Sequence, residues 1–247
     1  MNWRQLLLLA VALAALVAAF FADRIPQDPG YHAFLDARTL FGVANFWNVA
    51  TNLPFLAVGA AGLLHEREAA LPRHFIVYCV GVALVAFGSA WYHLAPSNPA
   101  LVFDRLPMTI AFMALFAAVV ADRVSLPLGQ ALLWPCVALG VASIGWWHWT
   151  ETDGSGDLRP YALVQFLPML LVPMMLLLFR GELLATRWLW VALGAYVLAK
   201  VAEYFDGAIY AFGGIVSGHS LKHLLAALAS WWIVRAFLKG TRPIKVP

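Results

Sequence analysis

The chain has 247 residues, 63% of them hydrophobic and 12% charged, a balance that excludes a soluble domain of this size and requires a membrane protein. Its net charge is only +3 and its basic residues are scattered singly, which excludes nucleic acid as a partner. The two cysteines, Cys79 and Cys136, fall inside apolar runs where a thiol acts as a small buried hydrophobe, so neither a disulfide nor CxxC chemistry is expected.

Eight stretches with few or no charges are each long enough to cross about 30 Å of hydrocarbon as a helix. They cover residues 5–22, 46–65, 74–93, 105–121, 128–148, 160–179, 187–206 and 218–238. The first, LLLLAVALAALVAAFFA after Arg4, reads as a retained helix rather than a signal peptide. Its apolar run exceeds a usual signal core, and Phe20-Phe21 followed by Asp23-Arg24 makes a poor cleavage site. In the second span Asn48 and Asn52 share a face, either as hydrogen-bond partners of a site or as contacts between helices. The third span ends in GSAWYH, with Ser89 one helical turn from His93 and on the same face.

The fourth span follows FDRLP, which puts Asp104 at the level of His93. Asp104 is a candidate site carboxylate, an N-cap for that helix, or a partner for Arg105. Residues 145–161, GWWHWTETDGSGDLRPY, combine an aromatic belt with a turn-rich loop over a site mouth, placing Tyr161 and Gln165 as pocket residues. In the seventh span Lys200 and Glu203 lie one turn apart; Glu203 or Tyr204 contacts a polar headgroup, or the charges neutralise one another with Lys222 sharing the carboxylate.

The eighth span opens with GHSLKHLLAALASWW. A four-residue step rotates about 400° around a helix, so His219 and His223 project from nearly one face, at a metal-ligand spacing. The pentapeptide alone fits packed or interfacial histidines equally well. His32, His65, His74 and His148 do not join this pattern by spacing and read as loop or interface residues.

Eight spans put both termini on one side of the membrane. The terminal side carries nine basic loop residues (Arg4, Arg67, Arg73, Arg123, Arg180, Arg187, Lys239, Arg242 and Lys245) against four opposite (Arg24, Arg38, Arg105 and Arg159). The termini are therefore expected in the cytoplasm. His93, Asp104, His219 and His223 then share the non-cytoplasmic level, with Ser89 one turn below. Three neutral imidazoles leave one position of a tetrahedral zinc open, the arrangement of a hydrolytic rather than a structural site. Ser220 stands where an HExxH motif has its glutamate, so the general base comes from elsewhere, and Asp104 is the candidate. Ser89 is placed to orient water or to hydrogen-bond a developing oxyanion.

GSAWYH, then eleven residues from His93 to Asp104 within FDRLPM, and finally HSLKH resemble the alkaline ceramidases, part of a membrane hydrolase superfamily that includes the progestin and adipoQ receptors. NFWNVATN, residues 45–52, resembles the start of that family's first core helix. The resemblance implies an all-α integral membrane protein: a seven-helix core over residues 45–240, one extra N-terminal helix with its outer loop over 1–44, and a cytoplasmic tail over 241–247. It implies Zn2+ on His93, His219 and His223, catalysis by Asp104 and Ser89, and a membrane lipid, ceramide or a relative, as substrate. The family's calcium segment carries a glutamate just before Phe-Trp-Asn; here that residue is Asn45, and Asp28 and Asp36 are not spaced in the family's way, which argues against calcium. Two other classes compete: a receptor or sensor with a structural zinc and little turnover, and a transporter with Lys200, Glu203 and Lys222 as a relay. Another lipid amide or ester is the alternative substrate.

Overall fold

The computed structural model describes residues 1–69 and 72–240, and among these it is helical with no strand. Arg242, Lys245 and the tail 241–247 lie outside the described residues. The helices are α1 (Trp3–Phe21), α2 (Phe46–Ala50), α3 (Leu53–Ala69), α4 (Arg73–Leu94), α5 (Asn98–Arg123), α6 (Leu126–Thr152), α7 (Arg159–Leu178), α8 (Thr186–Tyr204), α9 (Asp206–Gly213) and α10 (Gly218–Leu238), with a 3-10 turn at Pro29–His32.

Among the described residues seven runs are long and apolar enough to cross a membrane; α2 and α3 count as one, Phe46–His65. The eighth expected span is the pair α8 and α9, bent by 75° at Phe205. Large apolar side chains such as Phe87, Leu139 and Leu177 stay 60%, 65% and 75% exposed, as lipid-facing residues do.

Local chemistry sets where these helices begin. Asn2 and Gln5 form a capping box at α1. Ser97 caps α5 by accepting from the Ala100 amide, with Pro99 in the first turn, and Ser217 caps α10 by accepting from Ser220. Two expectations are corrected here. Asp104 is not the N-cap of its helix, because α5 starts six residues earlier at Asn98 and Ser97 does the capping. Residues 145–152 are not loop: Trp146, Trp147 and Trp149 continue α6 to Thr152, and only 153–158 form the turn.

With lipid outside, helices associate through close packing and polar contacts rather than through water exclusion. α4 packs on α3 and α5, α6 and α7 pack on α5, and α10 packs on α8 and α3, while α1 leans on α7 with no buried residue of its own. Glycine permits the two approaches that matter for the site. A Cβ at Gly88 would collide with the Phe103 carbonyl, so its absence lets α4 and α5 touch beside Ser89 and Asp104. A Cβ at Gly218 would strike the Ala202 carbonyl, so α10 begins directly against α8. α7 and α8 face one another across a central cavity with hardly any direct packing.

Candidate active site

At the end of the bundle where α4 finishes and α10 starts, His93, His219 and His223 bring one ring nitrogen each to within 4.8 Å of one another. All three are buried, and their ring centroids are 4.9–5.0 Å apart. His93 comes from the last turn of α4, and the other two occupy the first two turns of α10 on one face.

Thr51, at the break between α2 and α3, orients one of the rings. Its hydroxyl donates to the Trp47 carbonyl at 2.6 Å and so accepts from His223 Nδ1 at 3.0 Å. That network assigns the proton of His223 to Nδ1 and leaves Nε2 with a free lone pair. Asp206, at the start of α9, accepts the His219 amide at 2.7 Å and fixes the backbone of the second ring. Phe34, from the segment before α2, packs on His93 and His219 at centroid distances of 4.7 and 5.0 Å.

The donor set can hold a metal ion, with its three ring nitrogens within 4.8 Å of one another. Two imidazole nitrogens bound tetrahedrally at about 2.0–2.1 Å lie roughly 3.4 Å apart, and His93 Nε2 and His219 Nε2 are separated by 3.4 Å. The competitor for the His219 lone pair is the Lys222 ammonium at 3.3 Å, which also holds Glu203 Oε1 at 2.9 Å and keeps that partner if the nitrogen is taken by a metal.

Below the histidines a cavity of about 500 Å³ runs into the bundle. Asp104, Ser89, Asn52 and His223 line its polar head, and the side chains of Ser89 and Asp104 interact. Tyr161 and Gln165 line it from α7, with Gln165 Nε2 donating to the Tyr196 hydroxyl at 3.3 Å across to α8. Glu203 lines it too, bridged by Lys200 and Lys222 at 2.9 Å each. Deeper down the walls are apolar, reaching Phe116 on α5 and Ile233 on α10. From His223 to Ile233 this is ten residues of helix, about 15 Å.

Tyr204 is the sequence candidate that the fold leaves out. It is 83% exposed and does not line the cavity, because the residue next to Glu203 points about 100° away around α8. Asn48 is wholly buried beside the site: it donates to the Asp36 carbonyl at 3.2 Å and accepts from Ser220 Oγ at 2.7 Å. Asn52 donates to the Asn48 carbonyl, and its Oδ1 has no partner.

Of the four other histidines, His32 bonds the Tyr92 hydroxyl and Asn98, and His74 bonds the Gly129 carbonyl. Asp28 caps the Pro29–His32 turn. Asp36 is clamped by Arg38 at 2.7 Å, and that guanidinium holds its carboxyl below the usual carboxylate range.

A family model described as Ceramidase matches residues 39–239, which include all three histidines, Ser89 and Asp104. The chain belongs to the ceramidase family. No curated protein and no solved structure gives a significant match. Family membership supports a ceramide-hydrolase type of function, that of an amide hydrolase acting on a lipid, and the long apolar helices agree with a multi-pass membrane protein. The ceramidase match begins before α2, so it takes in part of the segment that carries Phe34 toward the histidines.

Proposed function

We propose that this ceramidase is a zinc-dependent membrane hydrolase that cleaves the amide of ceramide or a ceramide-like lipid to a sphingoid base and a fatty acid. One observation carries the reading: three imidazole donors, a carboxylate and a hydroxyl meet at the head of a deep apolar cavity. A zinc ion on His93, His219 and His223 would supply Lewis acidity with one coordination position open.

The chain's own groups do the rest. Asp104 accepts a proton from the attacking water as the C–O bond forms, then delivers it to the leaving nitrogen as the C–N bond breaks. Ser89, beside Asp104, donates a hydrogen bond to the developing oxyanion or holds the water in line. The apolar walls keep the acyl chain in a hydrocarbon-like environment while its amide reaches the polar head. The sparse packing between α7 and α8 supplies a side path for a lipid from the bilayer.

The functional core is residues 45–240, after the first helix and outer segment 1–44 and before the tail 241–247. The excess of basic residues on the terminal side supports cytoplasmic termini and a site near the opposite face.

The test is zinc content and fatty-acid release on the same purified protein. Wild type should hold about one zinc per chain and release fatty acid, and His223→Ala should lose both. Asp104→Asn should keep its zinc while hydrolysis falls by roughly 10² or more. Wild-type turnover in Asp104→Asn would remove Asp104 from the mechanism, and no turnover by wild type on any lipid amide or ester would sink the reading.

A further inference from the structure

The segment ahead of α2 is held against the histidines at several points. Phe34 packs on the rings of His93 and His219. The Asp36 carbonyl accepts from Asn48, which itself accepts from Ser220, the residue after His219. Asn45 Nδ2 donates to the carbonyl of His93 at 2.8 Å. This strap therefore runs from the end of α4 to the start of α10, the two elements that must meet to bring the three rings together.

One side chain closes the strap. The Asp36 carboxylate, only 1% exposed, receives Arg38 Nε and Nη2 at 2.7 Å each. The same Nη2 donates to the Ile215 carbonyl at 2.7 Å, in the loop between α9 and α10, and the guanidinium lies 5.5 Å from the ring centroid of Tyr210 on α9. A guanidinium can make both contacts because its donors diverge in a fixed planar fork. Among the described residues every hydrogen bond to the Asp36 carboxylate comes from Arg38, so the pair is not an ordinary exposed one that contributes little. Taking the guanidinium away strands a buried carboxylate.

The resemblance to the alkaline ceramidases raises a calcium ion in this segment, and the residues present do not fit one. Calcium takes about six to eight oxygen ligands, carboxylates prominent among them. Asp36 already carries a cation, Asp28 caps the turn at Pro29–His32, and Asn45 turns its amide nitrogen to the His93 carbonyl. Among the described residues the three histidines are the one group of three or more His, Cys, Asp or Glu side chains close enough to share an ion.

We infer that Arg38 is a positioning residue for the histidine site: its guanidinium joins the strap before α2 to the start of α10, the link a bound cation would otherwise make, so that the site is set without calcium. The inference rests on the zinc site of the hydrolase reading. Without Arg38 the strap loses its anchor two residues from Asp36 and four from Phe34. His93 and His219 then loosen, whereas His223 keeps its bond to Thr51.

The test is zinc affinity of the purified full chain, measured by competition against a chelator. Arg38→Met should weaken zinc by about 10–100-fold, the usual effect of losing a group that orients a ligand. Arg38→Lys should keep part of the affinity, since it keeps the charge without the fork. Methylguanidinium in the buffer should restore zinc binding to Arg38→Ala, because the side chain it replaces is 38% exposed. The double variant Asp36→Asn with Arg38→Met strands no buried charge and serves as the decisive one if Arg38→Met does not fold; its zinc should stay weak, because the link to Ile215 is still missing. Wild type should bind no calcium in equilibrium dialysis. Wild-type zinc affinity in Arg38→Met or in the double variant overturns the positioning role, and calcium bound by wild type overturns the calcium-free site. Zinc affinities in the expected order without hydrolysis of any lipid amide or ester defeat the hydrolase reading and leave Arg38 in its role.

Discussion

Thr51 gives the sharpest test of how the histidines are held. Thr51→Val keeps the shape of the side chain and removes the hydroxyl that accepts from His223 Nδ1 at 3.0 Å. The Trp47 carbonyl keeps a donor in the variant, because the residue 51 amide also reaches it at 3.0 Å. The damage is therefore confined to His223. That ring is 95% buried, so losing the Thr51 acceptor leaves it only its interaction with the Asn48 backbone, at a cost of about 1 kcal/mol.

The ring escapes that cost by exchanging tautomer or turning, and either change spoils Nε2 as a metal ligand. Loss of such a supporting hydrogen bond lowers metal affinity by about 10–100-fold, or roughly 1.4–2.7 kcal/mol. The assay is zinc competition against a chelator of known affinity, with Thr51→Ser alongside to restore the hydroxyl. Thr51→Val should weaken zinc within that range, and Thr51→Ser should stay near wild type. Unchanged zinc affinity in Thr51→Val would refute the orienting role; equal losses in both variants would assign the effect to packing.

Two further predictions concern the surface of the membrane. A cysteine at Ser155, in the turn between α6 and α7, should react with an impermeant maleimide on intact cells, whereas reaction only after the cells are opened would reverse the proposed sidedness. The same turn carries Asp157, whose carboxyl Arg159 pulls down to about 2 from an ordinary 3.8, aided by Trp146. A depressed carboxylate stabilises the folded form fully above its unfolded value and loses that contribution as pH falls through the folded one. Hydrogen exchange in residues 153–158 should therefore stay slow down to about pH 4 and quicken between there and about pH 2. Asp157→Asn should exchange fast at neutral pH, and slow exchange there would show that the ion pair does not hold the turn.

The site residues legible in the sequence were those that local periodicity and span counting can align. Ser89 with His93, and His219 with His223, repeat at four residues, and alternating spans bring the end of α4 and the start of α10 to one level. Asp104 reached that level even with its helix start misplaced, because extending α5 back to Asn98 does not change which end of the helix it occupies. The sequence extends the 153–158 turn back to residue 145 because tryptophans beside Gly and Asp carry no helical period of their own, although they continue α6. Glu203 and Tyr204 are equal alternatives in the sequence, and as neighbours on one helix only one of the two can face the cavity. Thr51, Phe34, Asp206 and the link from Arg38 to Ile215 were invisible for a different reason. Each acts across a contact between segments far apart in the chain, for which spacing leaves no mark.

The charges in α8 illustrate how such contacts change the meaning of a motif. Lys200 and Glu203 taken alone read as a self-neutralising pair, or with Lys222 as steps of a proton relay. In the fold Glu203 divides one carboxylate between both ammoniums at 2.9 Å, and Lys222 stands 3.3 Å from His219. The trio thus borders the histidines rather than forming a separate path. An ammonium this close to a metal site raises the electrostatic cost of a dication, and the Glu203 carboxylate shared by both lysines offsets part of it. The charge that makes α8 too polar to pass as a span on its own is therefore the charge that borders the site.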